Sequence, residues 1–352
     1  VEQPGENIRG RGAGGNPANR FDEIGVVRDD WCDPDDPARE TTFLRDASRN
    51  VVARNDSPDI GFDASVNPYR GCEHGCVYCY ARPTHEFLGF SAGLDFETRI
   101  LVKEDAPALL RRKLSSPRWR PQTIAISGVT DPYQPVERRL RITRGCLEVL
   151  AEARNPVGLI TKNHLVTRDV DLLGGLASHR AASVAVSVTT LDRELQRVME
   201  PRTSIPQRRL DAIRTLSEAG VPVAVMVAPV IPGLTDHELP RILEAAAEAG
   251  AKRAGWVMLR LPHGVKDLFE DWLERRFPDR RERVLNRIRE VRGGDLYRAR
   301  WGERQRGTGV YAQHVRTLFD TTVRRLGLNR EPVELSTAAF RRPGRDGQLA
   351  LF

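Results

Sequence analysis

Three cysteines close together, Cys72, Cys76 and Cys79, are the side chains of this chain best suited to chemistry. They stand in Gly71-Cys72-Glu73-His74-Gly75-Cys76-Val77-Tyr78-Cys79-Tyr80, a C-x-x-x-C-x-x-C run. Thiolates are soft ligands that suit iron–sulfur clusters or zinc. A cubane [4Fe–4S] cluster held by three local thiolates keeps one iron without a protein ligand, and that iron is free to hold a small molecule. A structural zinc site is the alternative. Zinc takes four ligands in a closed tetrahedron, usually with paired short spacings. His74 or His85 could supply a fourth ligand, yet neither completes a familiar zinc spacing.

The rest of the composition narrows the setting for such a site. At 352 residues the chain can bury a sizeable core, and 40% hydrophobic with 29% charged residues describes an ordinary soluble protein. Five cysteines, with Cys32 and Cys146 isolated, do not make a disulfide framework. Cys146 reads as a small buried helix residue. A reducing cytoplasm is the expected compartment. No secretory signal is visible, and the most apolar run, 221–231, is interrupted by Pro222 and Pro229 and too short to span a bilayer, so no membrane partner is expected. The net charge of +7 favours an acidic partner such as DNA or RNA, although an arginine-rich solvated surface would give the same balance.

Residues 1–28 show no hydrophobic period and read as a mobile arm whose Arg9-Gly10-Arg11-Gly12 could touch nucleic acid. Residues 29–64 carry scattered apolar anchors and read as an N-terminal extension. From Ser65 a rhythm of βα units begins. Strands are expected at 65–70, 123–127, 157–161, 183–189, 221–228 and 255–261. Helices fall between them: 106–114; 143–153, capped by Thr143; 168–176; 207–219, opened by Pro206; and 238–248, capped by Asp236. Six such units imply an α/β fold, a partial (β/α)6 barrel of the TIM type over residues 65–262. In parallel barrels the carboxyl ends of the strands carry the active site, so the polar strand ends should converge on one mouth. Residues 263–352 form a charged helical extension. A loop there, 301–310, offers Arg304 and Arg306 between glycines as candidate phosphate contacts.

With the cysteine run and the six-unit rhythm together, the chain resembles the radical S-adenosylmethionine (radical SAM) superfamily. More narrowly, it resembles the spore photoproduct lyase-like branch, among bacterial proteins of unassigned substrate. The run Asn67-Pro68-Tyr69-Arg70-Gly71-Cys72 through Arg82-Pro83 carries most of the likeness. Thr130-Asp131-Pro132-Tyr133-Gln134-Pro135, Glu200-Pro201-Arg202 and Ala228-Pro229-Val230-Ile231-Pro232-Gly233 agree with it. The resemblance implies that SAM chelates the open iron through its amine and carboxylate. An electron from an external reductant such as flavodoxin or ferredoxin then cleaves SAM to a 5′-deoxyadenosyl radical, which abstracts hydrogen from a substrate.

The same resemblance implies roles for single positions. Tyr78 matches an aromatic residue near the SAM adenine. Ser127 to Asp131, including Thr130, match the segment that contacts the SAM amino group. Lys162, Ser187 and Arg202 stand where relatives bind ribose or carboxylate, and Pro232 and Gly233 belong to the fifth-strand segment that supports adenine. No side chain is assigned to the substrate chemistry itself. One departure is clear: lyases of this branch place a hydrogen-donating cysteine just after the second strand, and Gly128 stands there in this chain. Three functions therefore compete: a radical SAM enzyme on nucleic acid or a nucleotide-like substrate, the same chemistry on a protein or small metabolite, and a non-catalytic metal-containing nucleic-acid-binding protein.

Overall fold

The structure, a computed structural model, describes residues 8–21 and 40–344; Cys32 lies outside the described residues. The strands are β1 (Thr42–Arg45), β2 (Val52–Arg54), β3 (Ala64–Val66), β4 (Tyr69–Arg70), β5 (Arg99–Val102), β6 (Ile124–Ile126), β7 (Val157–Thr161), β8 (Ala182–Ser187), β9 (Val223–Val230) and β10 (Arg253–Met258). The helices are α1 (Leu94–Thr98), α2 (Ala106–Ser115), α3 (Glu137–Leu140), α4 (Ile142–Ala153), α5 (Val170–Ala177) and α6 (Arg193–Met199). Then come α7 (Pro206–Glu218), α8 (Leu239–Glu248), α9 (Val265–Arg276), α10 (Pro278–Val291) and α11 (Gly309–Leu326).

The main sheet runs β10-β9-β8-β7-β6-β3-β2. Its first six members are parallel and β2 is antiparallel at the edge, so the sheet is an open, partial barrel. Side chains alternate across it as strand geometry requires. Val223, Val225 and Val227 of β9, with Val157 and Leu159 of β7, face the helices in one large core that includes Cys146, Leu147 and Leu150 of α4. The opposite, concave face carries small residues, Ala125, Gly158, Ala185 and Ala224, around a cavity of about 410 Å³. Among the described residues no helix is long and apolar enough to cross a membrane.

The expected 65–70 strand is divided. Ala64–Val66 joins the main sheet, while Tyr69–Arg70 pairs with β5 in a small second sheet of order β1-β5-β4. The break falls at Asn67-Pro68; proline has no N–H for the ladder, and the Asn67 side chain accepts from Val129 N instead. Thr143 does not cap its helix. Its hydroxyl donates to Pro132 O, and Thr143 N, the nearby helix-end donor, is met by the carboxylate of Glu137. Asp236 sits in a 3-10 turn before α8 and accepts from Gly233 N.

Two segments differ from their expected character. Residues 8–21, within the arm read as mobile, lie against α1 and the 3-10 segment Arg82–Leu88 through side-chain and backbone hydrogen bonds. Beyond α11 the described residues, 327–344, are not helical. Residues 329–343 cross the amino-terminal side of the sheet, where Ser336 N donates to Arg180 O, Arg341 N to Ala153 O and Ser115 Oγ to Pro343 O.

Candidate metal and cofactor site

The cysteine loop leaves β4 at the carboxyl mouth of the barrel. Gly71 (φ 81°) and Gly75 (φ 66°) give it the left-handed turns that other residues rarely adopt. Cys72 and Cys76 are buried and Cys79 half-buried. Every neighbouring residue of the loop is engaged. Cys72 N donates to Phe96 O, Val77 N to Met199 O and Glu73 N to Gln134 Oε1. Val77 and Tyr78 pack in a second apolar core with Phe269 and Trp272 of α9 and Ile288 of α10. The helical extension therefore helps to seat the loop.

Burial pushes the Cys79 thiol up to about 11, with Cys72 adding to the shift; burial and then Glu200 push Cys76 upward too. Cys76 and Cys79 thus sit in a poorly solvated pocket beside Cys72. Such thiols ionise readily only when a metal takes the proton's place. Among the described residues, no three His, Cys, Asp or Glu side chains converge to hold a single metal ion. A cubane offers a separate iron to each thiolate, so its ligands need not meet at one point. The donor set fits a cluster. Neither histidine is placed as a fourth ligand. His74 Nδ1 lies 3.3 Å from Asp131 Oδ2 and its Nε2 3.2 Å from Asn163 Nδ2, while His85 Nε2 faces Arg99 O at 2.9 Å. Burial opposes charge on His74, but Asp131 and then Cys72 outweigh it and hold its pKa up to about 10.

Several expected cofactor residues share one network. Asp131 accepts from Tyr133 N, Thr161 Oγ1 and Lys162 N, at 2.9, 2.7 and 2.8 Å. Thr130 Oγ1 donates to Gly71 O at 2.6 Å and so ties the β6 loop to the cysteine loop. Lys162 Nζ donates to Ala228 O, stands 3.7 Å from Glu200 Oε1 and lies 5.9 Å from the Tyr78 ring centre. Burial lowers the Lys162 pKa to about 8. Ser127 (φ 152°) and Gly128 (φ 135°) hold consecutive backbone angles that L-residues rarely adopt, and local strain of this kind is typical of functional loops.

Other expected residues are placed differently. Ser187 meets the network through its backbone, its carbonyl accepting from Arg209. Arg202 pairs with Glu73 at 3.0 Å and donates to Thr41 Oγ1, bracing the outside of the loop. Pro232 is buried; Gly233 turns towards α10, its carbonyl accepting from Arg283. Arg304 and Arg306 are not held out for phosphate. Arg304 donates to Asp59 and Ser57, both at 2.6 Å, and Arg306 to Trp256 O at 2.7 Å. A guanidinium finds internal acceptors as readily as phosphate, and composition cannot tell the two apart.

Two residues assigned no role from the sequence complete the site. Glu200, fully buried, accepts from Tyr78, Thr189 and Arg209. Arg82, also fully buried, donates to Cys76 O at 3.0 and 2.9 Å and pairs with Glu97 at 2.5 Å. Isolated charges read as surface in a sequence. Both stand in the runs that carry the family likeness, Arg82-Pro83 and Glu200-Pro201-Arg202, and that placement was the available signal.

Residues 66–246 match the family model of the Radical SAM superfamily. An uncharacterised protein of Mycobacterium tuberculosis (strain ATCC 25618 / H37Rv) is 41% identical over 66% of this chain and 68% of its own length. A radical SAM Nalpha-GlyT isomerase of Pseudomonas phage M6 is 27% identical over 53% of this chain and 37% of its own. Spore photoproduct lyase, solved in complex with dinucleoside spore photoproduct, superposes with a TM-score of 0.58 at 16% identity, over 81% of this chain and 80% of that one. That likeness shows a shared fold.

Proposed function

Because this chain belongs to the radical SAM superfamily, we propose that Cys72, Cys76 and Cys79 hold a [4Fe–4S] cluster, that SAM binds its open iron, and that the enzyme acts on nucleic acid or a nucleotide-like substrate. When bound, the two groups supply reductive cleavage of SAM to a 5′-deoxyadenosyl radical that takes hydrogen from the substrate, with an electron from a carrier such as flavodoxin or ferredoxin. A reducing cytoplasm suits such chemistry. The observation that carries the reading is the thiol trio at the carboxyl mouth of a parallel partial barrel, with its loop fixed at nearly every residue.

The chain's own groups have definite tasks in this reading. Lys162 brings a cation to the face of Tyr78 beside the thiols and the Glu200 carboxylate. Asp131 fixes His74 on one side and the start of the Lys162 turn on the other. The apolar core around Val77 and Tyr78 keeps water from the rear of the loop.

The nucleic-acid part of the proposal draws on the +7 charge and on the dinucleoside bound by spore photoproduct lyase. Anaerobic reconstitution with SAM and reductant, assayed for 5′-deoxyadenosine, tests the chemistry. Retention on DNA or RNA that weakens with salt tests the substrate class. A small-metabolite substrate is the second reading, favoured by the internal pairing of Arg304 and Arg306. Salt-independent behaviour with no retention would select it.

A further inference from the structure

Residues 8–21 contact the cysteine loop more closely than any covering segment needs to. A Cβ added at Gly12 would lie 1.9 Å from Gly75 O, so the strap can sit there only as glycine. Gly12 N and Ala13 N both donate to the Glu97 carboxylate, at 3.1 and 2.9 Å. That carboxylate is the partner of Arg82, whose guanidinium holds Cys76 O. A continuous chain of contacts therefore runs from the strap through Glu97 and Arg82 to the middle cysteine.

Further along, the strap is seated a second time. A Cβ at Gly93 would lie 2.1 Å from Gly15 O, Leu94 N donates to Gly15 O, and Asn16 Nδ2 donates to Asp95 Oδ1 at 2.9 Å. Arg11 donates to Glu97 O and to Thr41 Oγ1, the hydroxyl that also accepts from Arg202, the partner of Glu73. Ala13 is 1% exposed and packs on Leu94 and Leu268. None of these contacts reaches the helix-facing core of the barrel, whose members are other residues.

We propose that residues 11–15 form the outer wall of the cluster loop, positioning Cys76 through Glu97 and Arg82 and excluding solvent and dioxygen from that side. The inference rests on the reading that the three cysteines carry a cluster. Gly12, Glu97 and Arg82 are positioning residues: they act on the ligand loop and not on substrate. The polar, glycine-rich composition that makes this segment look unstructured is what allows it to lie directly on another backbone.

The test compares the full chain with Gly12→Ala, Gly93→Ala and Gly15→Ala after anaerobic reconstitution. A Cβ at Gly15 meets nothing within 4 Å, so Gly15→Ala is the control. Iron and labile sulfide per chain are measured first, then the rate at which the visible cluster absorption bleaches in air, then the melting temperature of the metal-free protein. The expected result is several-fold faster bleaching in Gly12→Ala and Gly93→Ala, both still folding cooperatively without metal at a modestly lower melting temperature, with Gly15→Ala like the parent. Parental bleaching rates in both lifted variants would overturn the strap's role. Failure of the parent chain itself to hold labile sulfide would instead overturn the cluster reading.

Discussion

Tyr78 donates its phenol hydrogen to the carboxylate of Glu200, which lies 122 residues further along the chain. This bond joins the cysteine loop to the end of α6, and the same carboxylate accepts from Thr189 beyond β8 and from Arg209 of α7. One buried charge thus ties the cysteine loop, the segment beyond β8 and helix α7 together around the site. Removing one partner of a buried ion pair leaves the other uncompensated, at a cost of about 3–5 kcal/mol. Glu200→Gln should therefore lower the stability of the metal-free protein by that order, read as a drop in the urea midpoint. Tyr78→Phe leaves the pair with Arg209 intact and should cost about 1–3 kcal/mol, the price of one buried hydrogen bond. Equal losses for the two variants would contradict the hub assignment.

Iron content is the direct measure of the thiol site. Anaerobically purified protein should carry close to four irons and four sulfides per chain, the stoichiometry of a cubane. Cys72→Ala, Cys76→Ala and Cys79→Ala should each lose most of them. Cys146→Ala should not, because Cys146 is fully buried on the helix-facing side of the barrel. Tightly bound zinc without labile sulfide would refute the assignment.

His85 should make the metal-free protein sensitive to acid. Its ring is fully buried, with Nε2 facing Arg99 O and Nδ1 without a hydrogen-bond partner. Burial lowers its pKa from 6.5 to about 4, with Arg82 adding to the shift and Arg99 O and Asp95 opposing it. Between those values the unfolded chain binds a proton that the folded chain refuses. Stability is therefore lost as pH falls through that window, by at most about 3 kcal/mol at roughly 1.4 kcal/mol per pKa unit. His85→Gln can still donate towards Arg99 O and does not titrate. Urea midpoints followed from neutral pH to about pH 4 should fall less steeply in this variant; parallel curves would remove His85 from the acid response.

The strands expected at 157–161 and 221–228, observed at Val157–Thr161 and Val223–Val230, were legible because short apolar runs rich in β-branched residues stand there between turn signals. The pieces that were not legible gain their structure from partners distant in sequence. β1 and β5 are four-residue pieces outside the βα rhythm that pair across more than fifty residues. Residues 8–21 are held by carboxylates of α1 and its neighbours, so composition alone described them as an arm. At the site, spacing identified the cysteines because their ligand chemistry is local. The pairing of Glu200 with Arg209 and of Arg82 with Glu97 was hidden because a buried ion pair is a property of two segments that only the fold brings together. The same limit misplaced Arg304 and Arg306: their partners Asp59 and Trp256 O lie far upstream.

Gly128, in the loop after β6, is the position at which we expect the substrate chemistry to depart from that of spore photoproduct lyase. The resemblance to that branch implies a cysteine at this place that returns a hydrogen atom to the substrate radical after bond scission, because its S–H bond is weak. Gly128 has no side chain to do so, and its carbonyl accepts from Tyr80 at 2.7 Å. Space is not the obstacle, since a Cβ there would lie 3.7 Å from Asn67 Oδ1, an ordinary contact; the φ of 135° is, because a cysteine would rarely adopt it. Among the described residues the one other thiol outside the cysteine loop is Cys146, buried among the helices on the far side of the sheet. Given SAM, reductant and spore-photoproduct-containing DNA, the enzyme should release 5′-deoxyadenosine without restoring thymines in clean catalytic turnover. Gly128→Cys should not rescue repair, because the strained backbone must shift to take it. Efficient repair by the parent chain would show that its hydrogen donor is some other group and that the loop does not set the reaction apart.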